Sequence, residues 1–377
     1  MRVLVTADTV GGVWTYTREL VTGLVHRGVQ VTLVSFGRLP TASQTQWLDA
    51  LENVDFRPTA FKLEWMQGAA RDIAASTDYL QSVIEDVKPE LLHLNQYCYG
   101  AVAAGVPRVV VAHSDVVSWS LAVRDSEPAG EWINWYRRVV TEGLRAATQV
   151  VAISKVVRED LHRHFGLQDA RVIYNGRSAS LFDAAEPKQQ AVLTVGRVWD
   201  EAKNTALLLE AQPDAPVWIA GTALNPESDG VTELRSAHRA EFQGEVAEPE
   251  LRRLYAKAAI YVTTSRYEPF GLAPVEAALS RCAIVANDIP IFHELWQDSV
   301  LYFRRNDAAS LRQIVERLLN NRPLREHYGQ MAYDRAAKLF TADRMVEDYI
   351  SLDKTLIEAQ KLRAEFAPTT ERAELVS

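Results

Sequence analysis

The 377-residue sequence predicts an α/β chain built as two Rossmann-like, doubly wound domains. Three observations predict it. Short β-branched runs alternate with amphipathic helical stretches in both halves, the pattern of parallel sheets covered by helices. Several runs, among them MRVLVTA, RVVVAH and AVLTVGR, lack in-out alternation and so suit strands buried on both faces. Apolar residues make up 47% of the chain, which at this length supports two cores.

Residues 2–7 form the first predicted strand, followed by the turn ADTVGG and a helix over Val13 to Arg27 that Gly28 stops. VQVTLVSF, 29–36, completes a βαβ unit. Gly11 and Gly12 stand at the helix N-terminus, where free N–H groups can meet an anion, though the later glycines of a dinucleotide fingerprint are missing. A plain tight turn stays open as the other reading. Residues 40–65 carry few regular signals and are expected as loops. A helix from Gln67 to Val87 ends before Pro89, and LLHLNQ, 91–96, is the next strand. RVVVAH, 108–113, delivers His113 and Ser114 to its C-terminal end, where doubly wound sheets gather ligands. Helices over Trp132 to Ala147 and Lys155 to Phe165 flank the strand TQVVAIS, and RVIYNG closes the first domain.

The second half repeats the alternation: AVLTVGR, a helix from Asn204, VWIAG, FQG, a helix from Pro249 to Ala258, a strand Ile260 to Thr264, AIVAN at 283–287 and VLYF. Helices over Asp307 to Asn320, Pro323 to Leu339 and Ala342 to Arg363 finish the chain.

A net charge of −8 with no basic block excludes general nucleic-acid binding, which needs cations along a run of phosphates. The sequence opens on a strand rather than a charged, then apolar leader, and no apolar run nears the roughly 20 residues that cross a bilayer. A cytoplasmic protein is expected, with peripheral membrane contact left open. Cys98 and Cys282 lack zinc spacing and sit in apolar surroundings, so buried free thiols are expected.

The densest chemistry lies in SRYEPFGLAPVE, 265–276. A strand precedes it and a helix from Gly271 to Leu279 follows, which places Phe270, Gly271 and Leu272 at a helix N-terminus suited to phosphate or sugar oxygens. Glu268 and Glu276 can then point at one mouth. Two surface glutamates would show the same spacing, so the motif alone leaves both readings open.

Over residues 242–277 the sequence resembles the E-x7-E signature of retaining glycosyltransferases of family 4, which have the two-domain GT-B fold. The resemblance implies two domains facing across a cleft: an acceptor-side domain, 1–180; a donor domain, 181–345; a C-terminal helix, 346–365, crossing back to the first domain; and a flexible tail, 366–377. Asn175 and Gly176 match the family's chain crossing, with 181–190 as linker. It also implies a nucleoside-diphosphate sugar as donor and a hydroxyl acceptor. Arg197 and Lys203, one at a strand end and one starting the next helix, would stabilise the leaving diphosphate, a contribution on the order of 3 kcal/mol. Glu276 would bind the ribose hydroxyls and Glu268 the donor sugar, with Gly12, Phe270, Gly271 and Leu272 counted among the donor contacts. His113 matches the family's cleft histidine, and Ser114 or Asp115 is a candidate for positioning the acceptor. No Asp-x-Asp motif is present, so neither metal nor cofactor is expected. Trp14, Trp119, Trp132 and Trp135 are candidates either for core or for stacking on an acceptor, and His93 and His293 are expected to be structural. The sequence departs from the family at Arg281 and Cys282, where a glycine usually follows the motif helix, and in DIPIFHELW, which lacks the glycine pair before Pro290. A GT-B nucleotide-sugar epimerase, a phosphorylase and a catalytically idle nucleotide-sugar binder are the competing readings.

Overall fold

The computed structural model describes residues 1–223 and 239–366, so the expected tail lies, after Phe366, outside the described residues. The chain forms two compact units. The first comprises Met1–Ser118, Glu127–Tyr174 and the chain from Asp343; the second comprises Trp119–Ser126 and Asn175–Ala342. The division after Tyr174 precedes the expected boundary at 180, and the return after Ala342 precedes the expected 346.

The first unit runs β1 (Arg2–Asp8), α1 (Gly12–His26), β2 (Gln30–Phe36), α2 (Ala42–Thr45), β3 (Val54–Pro58), α3 (Ala70–Val87), β4 (Leu91–Leu94), β5 (Arg108–Ala112), α4 (Val116–Arg124), α5 (Glu131–Ala146), β6 (Gln149–Ala152), α6 (Lys155–Phe165) and β7 (Arg171–Val172). Its sheet has the order β3-β2-β1-β4-β5-β6-β7 and every described pair is parallel. Six of the seven residues of β1 are buried, as a strand covered on both faces requires. β3 corrects the expectation of loops over 40–65. It is an edge strand whose residues VDFRP are half-buried to exposed, so it carries little apolar signal.

In the second unit follow β8 (Gln189–Val195), α7 (Thr205–Ala211), β9 (Val217–Ala220), β10 (Ala240–Gly244), α8 (Glu248–Lys257), β11 (Ala258–Thr263), α9 (Leu272–Leu279), β12 (Ala283–Asn287), α10 (Pro290–Trp296), β13 (Leu301–Phe303), α11 (Ala308–Leu319) and α12 (Arg322–Leu339). The sheet order is β10-β9-β8-β11-β12-β13. All of β11 is buried, and Ile260 and Val262 join Val192, Ile219, Val285, Leu311 and Val315 in one apolar core. β8 begins inside the expected linker, because Gln189 already pairs with Ala258 of β11.

α13 (Ala342–Phe366) crosses back to the first unit, where Tyr349 packs edge-on against Tyr16 and His93. Arg27 of α1 pairs with Asp343 at 3.1 Å and Glu347 at 2.6 Å. Among the described residues no helix is long and apolar enough to cross a membrane. Both cysteines are free, and burial pushes each thiol up. Cys282 donates to the carbonyls of Tyr255 and Ala258, each at 3.2 Å.

Candidate active site

The second unit assembles most of the predicted residues at the C-terminal ends of β8 and β11, the side on which parallel sheets bind ligands. Arg197 follows β8 by two residues; its side chain is 37% exposed, pairs with Asp200 at 2.6 Å and lies 5.2 Å from the Trp199 ring centre. Lys203 runs its methylenes over the backbone of Gly196, where an added Cβ would stand 3.4 Å away. Its ammonium meets Glu268 at 2.5 Å. Two further bonds stitch the loops together: Thr264 Oγ1 donates to the Lys203 carbonyl at 2.8 Å, and Arg266 N–H to the Ala202 carbonyl at 2.7 Å. Arg197, Lys203 and Glu268 therefore belong to one bonded pair of loops. Each cation currently faces a carboxylate.

Gly271 begins α9 with φ 91°, and no side chain caps the helix, so its first N–H groups carry the positive dipole end without an internal carboxylate or hydroxyl against them. Leu272 is half-buried at that turn. Phe270 does not line it. The ring is 2% exposed and packs edge-on against Phe340 at 5.5 Å, which anchors the loop to the core.

Glu276 is 7% exposed and does not stand free at a mouth as the sequence suggested. Arg177 holds it at 2.9 Å. That arginine, 2% exposed, also reaches Glu248 at 3.2 Å and lies over the Phe182 ring, while Arg252 pairs with Glu248 at 2.6 Å. The sequence reading missed Arg177, whose only signal was its place directly after Asn175 and Gly176. Burial first, then the charges of Glu268 and Glu276, raises the Tyr261 hydroxyl well above its ordinary range, so both motif carboxylates bear on one buried ring. Asp200 was also missed as a site residue. It accepts from Trp119 Nε1 at 3.2 Å and from the Ala202 N–H at 2.9 Å besides binding Arg197.

The first unit holds His113 and Gly12. His113 follows β5, and its Nε2 bonds Asn95 Oδ1 at 2.8 Å. The Asn95 amide is oriented by its own bond from Nδ2 to the Thr6 carbonyl at 2.6 Å, so Oδ1 accepts and His113 Nε2 carries the proton. Nδ1 remains as an acceptor. Burial pushes the ring down to about 3, so it is neutral from pH 5 to 8. Gly12 is exposed in the first turn of α1. Asp115 is not a positioning group: it is 5% exposed and accepts from the Ser118 N–H at 2.8 Å and Oγ at 2.5 Å, capping the start of α4. Trp14 is core at 7% exposed, while Trp119, Trp132 and Trp135 are half-buried, with Trp132 Nε1 bonded to the Met66 carbonyl at 3.1 Å. His93 is buried and bonded to the Tyr16 hydroxyl at 2.9 Å, and exposed His293 stacks on Tyr302 beside Asp288.

Two family profiles divide the chain between them: Glycosyltransferase Family 4 matches residues 10–180 and Glycosyl transferases group 1 matches residues 180–335. The chain belongs to the GT-B glycosyltransferases. It is 26% identical over 196 residues to the O-antigen chain mannosyltransferase RfbU of Salmonella typhimurium, a match covering 49% of this chain and 54% of that one. The chain thus spans about half the length of RfbU. With the alpha-maltose-1-phosphate synthase of Mycolicibacterium smegmatis it shares 25% identity over 66% of this chain and 73% of that one. In fold it is similar to sucrose-phosphate synthase from Thermosynechococcus elongatus, with TM-score 0.76 and 18% identity over 95% of this glycosyltransferase and 100% of the other. Anabaena HepE, solved in complex with UDP and glucose, aligns with TM-score 0.72 and 18% identity over 94% of this chain and 100% of HepE.

Proposed function

We propose that this glycosyltransferase moves a sugar, with retention and without a metal, from a nucleoside-diphosphate sugar to a hydroxyl acceptor in the cytoplasm. One observation carries the proposal. Lys203 and Arg197 sit in the loop between β8 and α7 with their charges met by Glu268 and Asp200, the arrangement of a preformed diphosphate site at rest. A bound diphosphate takes both cations, and Glu268, released from Lys203, turns to a hydroxyl of the donor sugar. Glu276, held by Arg177, takes the vicinal diol of the ribose with its remaining acceptor capacity. The bond from the anomeric carbon to the phosphate oxygen breaks as the acceptor oxygen bonds to the same face. The acceptor's proton passes to the leaving phosphate. His113 contributes Nδ1 as an acceptor for a sugar hydroxyl. HepE, solved with UDP-glucose, supports a uridine donor.

The test is a panel of UDP-, GDP- and ADP-sugars scored by donor hydrolysis and by thermal shift with each free diphosphate. One base should raise the melting temperature selectively. Replacing Arg197 and Lys203 together by alanine should lower turnover by about 10²-fold or more. Full activity in that double variant refutes the site, binding without turnover in the wild type marks an idle binder, and abolition by EDTA removes the metal-free mechanism.

A further inference from the structure

Beside the motif loop lies a cavity of about 390 Å³ whose lining includes Arg266, Arg305, Asn306 and Asp125. None of these is used in the donor chemistry above. Arg266 stands two residues before Glu268, and its Nε is buried with no protein partner among the described residues. Arg305 is exposed and makes no ion pair among the described residues, whereas its neighbour Arg304 is bound to Asp307 at 2.8 Å. The turn that carries Arg305 is fixed. Asn306 N–H donates to Asn287 Oδ1 and Asn287 Nδ2 to Asn306 Oδ1, both at 3.0 Å. Asn287 Nδ2 also reaches the Ser265 carbonyl at 3.0 Å, and Ser265 Oγ lies 3.4 Å from Glu268. A continuous set of hydrogen bonds therefore joins this cavity to the carboxylate assigned to the donor sugar.

We propose that the cavity is a subsite for the acceptor, and that the acceptor is a sugar carrying an oxyanion, phosphate or carboxylate. The inference rests on the glycosyl-transfer reading and names its acceptor class. Arg266 Nε has no protein partner among the described residues, and the planar guanidinium forks of Arg266 and Arg305 suit carboxylate and phosphate. Against two arginines stands one Asp125, so the lining keeps a single net positive charge, fit for one oxyanion. Asp125 and the Asn306 amide offer bonds to hydroxyls, which a bare inorganic anion does not carry. The donor's own diphosphate is met elsewhere, by Arg197 and Lys203. A volume near 390 Å³ accommodates a monosaccharide bearing one such group.

The experiment titrates glucose 6-phosphate, glucuronate, glucose and inorganic phosphate against the full chain calorimetrically, with no need for turnover. At least one anionic sugar should bind about 10-fold or more tightly than glucose, in keeping with the strength of charge-assisted bonds. The Arg266→Gln/Arg305→Gln variant should lose that preference, and Arg304→Gln should retain it; Arg305→Gln alone, at an exposed position, guards against a folding defect. An equal response to glucose and both anionic sugars, or a preference that survives the double variant, overturns the proposal. So does inorganic phosphate binding as tightly as the sugar phosphate, which assigns the cavity to the free ion. Faster hydrolysis of UDP-glucuronate than UDP-glucose, abolished by Arg305→Gln, would move the oxyanion to the donor and also overturn it. Failure of the parent reading shows separately, as the absence of any thermal shift with UDP, GDP or ADP.

Discussion

Arg177 and Glu276 are both nearly inaccessible, and their ion pair makes the motif's second glutamate part of the core. Removing one partner leaves a buried charge uncompensated. Arg177→Ala should therefore cost about 3 to 5 kcal/mol in urea unfolding, while Glu268→Gln, which breaks a pair with more water around it, should cost under about 1 kcal/mol. Turnover should rank them the other way for chemistry: Glu268→Gln lowers kcat, and Glu276→Ala weakens nucleotide binding by about 10-fold or more in a direct titration, the worth of a charged hydrogen bond. A Glu276→Ala protein that binds nucleotide as well as wild type would refute the ribose role. At this scale the sequence displayed Glu268, Glu276, Arg197 and Lys203, because strand-end position and local spacing are local facts. It did not display Arg177 or Asp200 as their partners, since those pairings are chosen by how distant loops meet.

Most elements were legible as hydrophobic runs between turn signals, and the exceptions have causes. α4 begins VVSWS, a β-branched start that reads poorly as helix; its start is secured by the Asp115 cap. α9 ends with Arg281 at φ 57°, so the left-handed closure forms without glycine, while the Arg281 guanidinium lies 4.8 Å from the Tyr333 ring centre. At the other end, Gly271 is required. An added Cβ would stand 3.2 Å from Glu268 Cγ on a backbone with φ 91°, so Gly271→Ala should destabilise by about 1 to 3 kcal/mol and lower kcat through Glu268. α13 carries a buried acid: Asp353 is 1% exposed, with no partner on either oxygen among the described residues, and burial pushes it up to about 7 from an ordinary 3.8. The folded carboxyl keeps its proton where the unfolded one has lost it. Its contribution to stability is full below about pH 4 and is lost as the pH rises through 7. Asp353→Asn should therefore gain about 2 to 3 kcal/mol over wild type between pH 5 and pH 8. A pH-independent difference in unfolding free energy would refute it.

On the scale of the molecule, the main segment of the second unit runs from Asn175 to Ala342, and its two ends are paired. Arg177 N–H donates to the Phe340 carbonyl at 2.9 Å and Ala342 N–H to the Arg177 carbonyl at 3.1 Å. Between them Gly176 sits so close that an added Cβ would be 2.1 Å from the Thr341 carbonyl oxygen. Gly176→Ala should accordingly lower stability by about 3 kcal/mol or more, read as a shifted denaturant midpoint at constant slope. By itself the sequence determined the α/β class and the alternation of two successive α/β halves, because both are written in local periodicity, and the run at 242–277 carried the resemblance to the GT-B family. Tertiary structure alone decided that Glu276 is buried on Arg177, that Lys203 and Arg197 rest on acids, that Asp115 is a cap, and that Arg266 and Arg305 line one cavity. Those facts depend on which loops each sheet brings together at its own strand ends, and no short stretch of sequence contains both sides of such a contact.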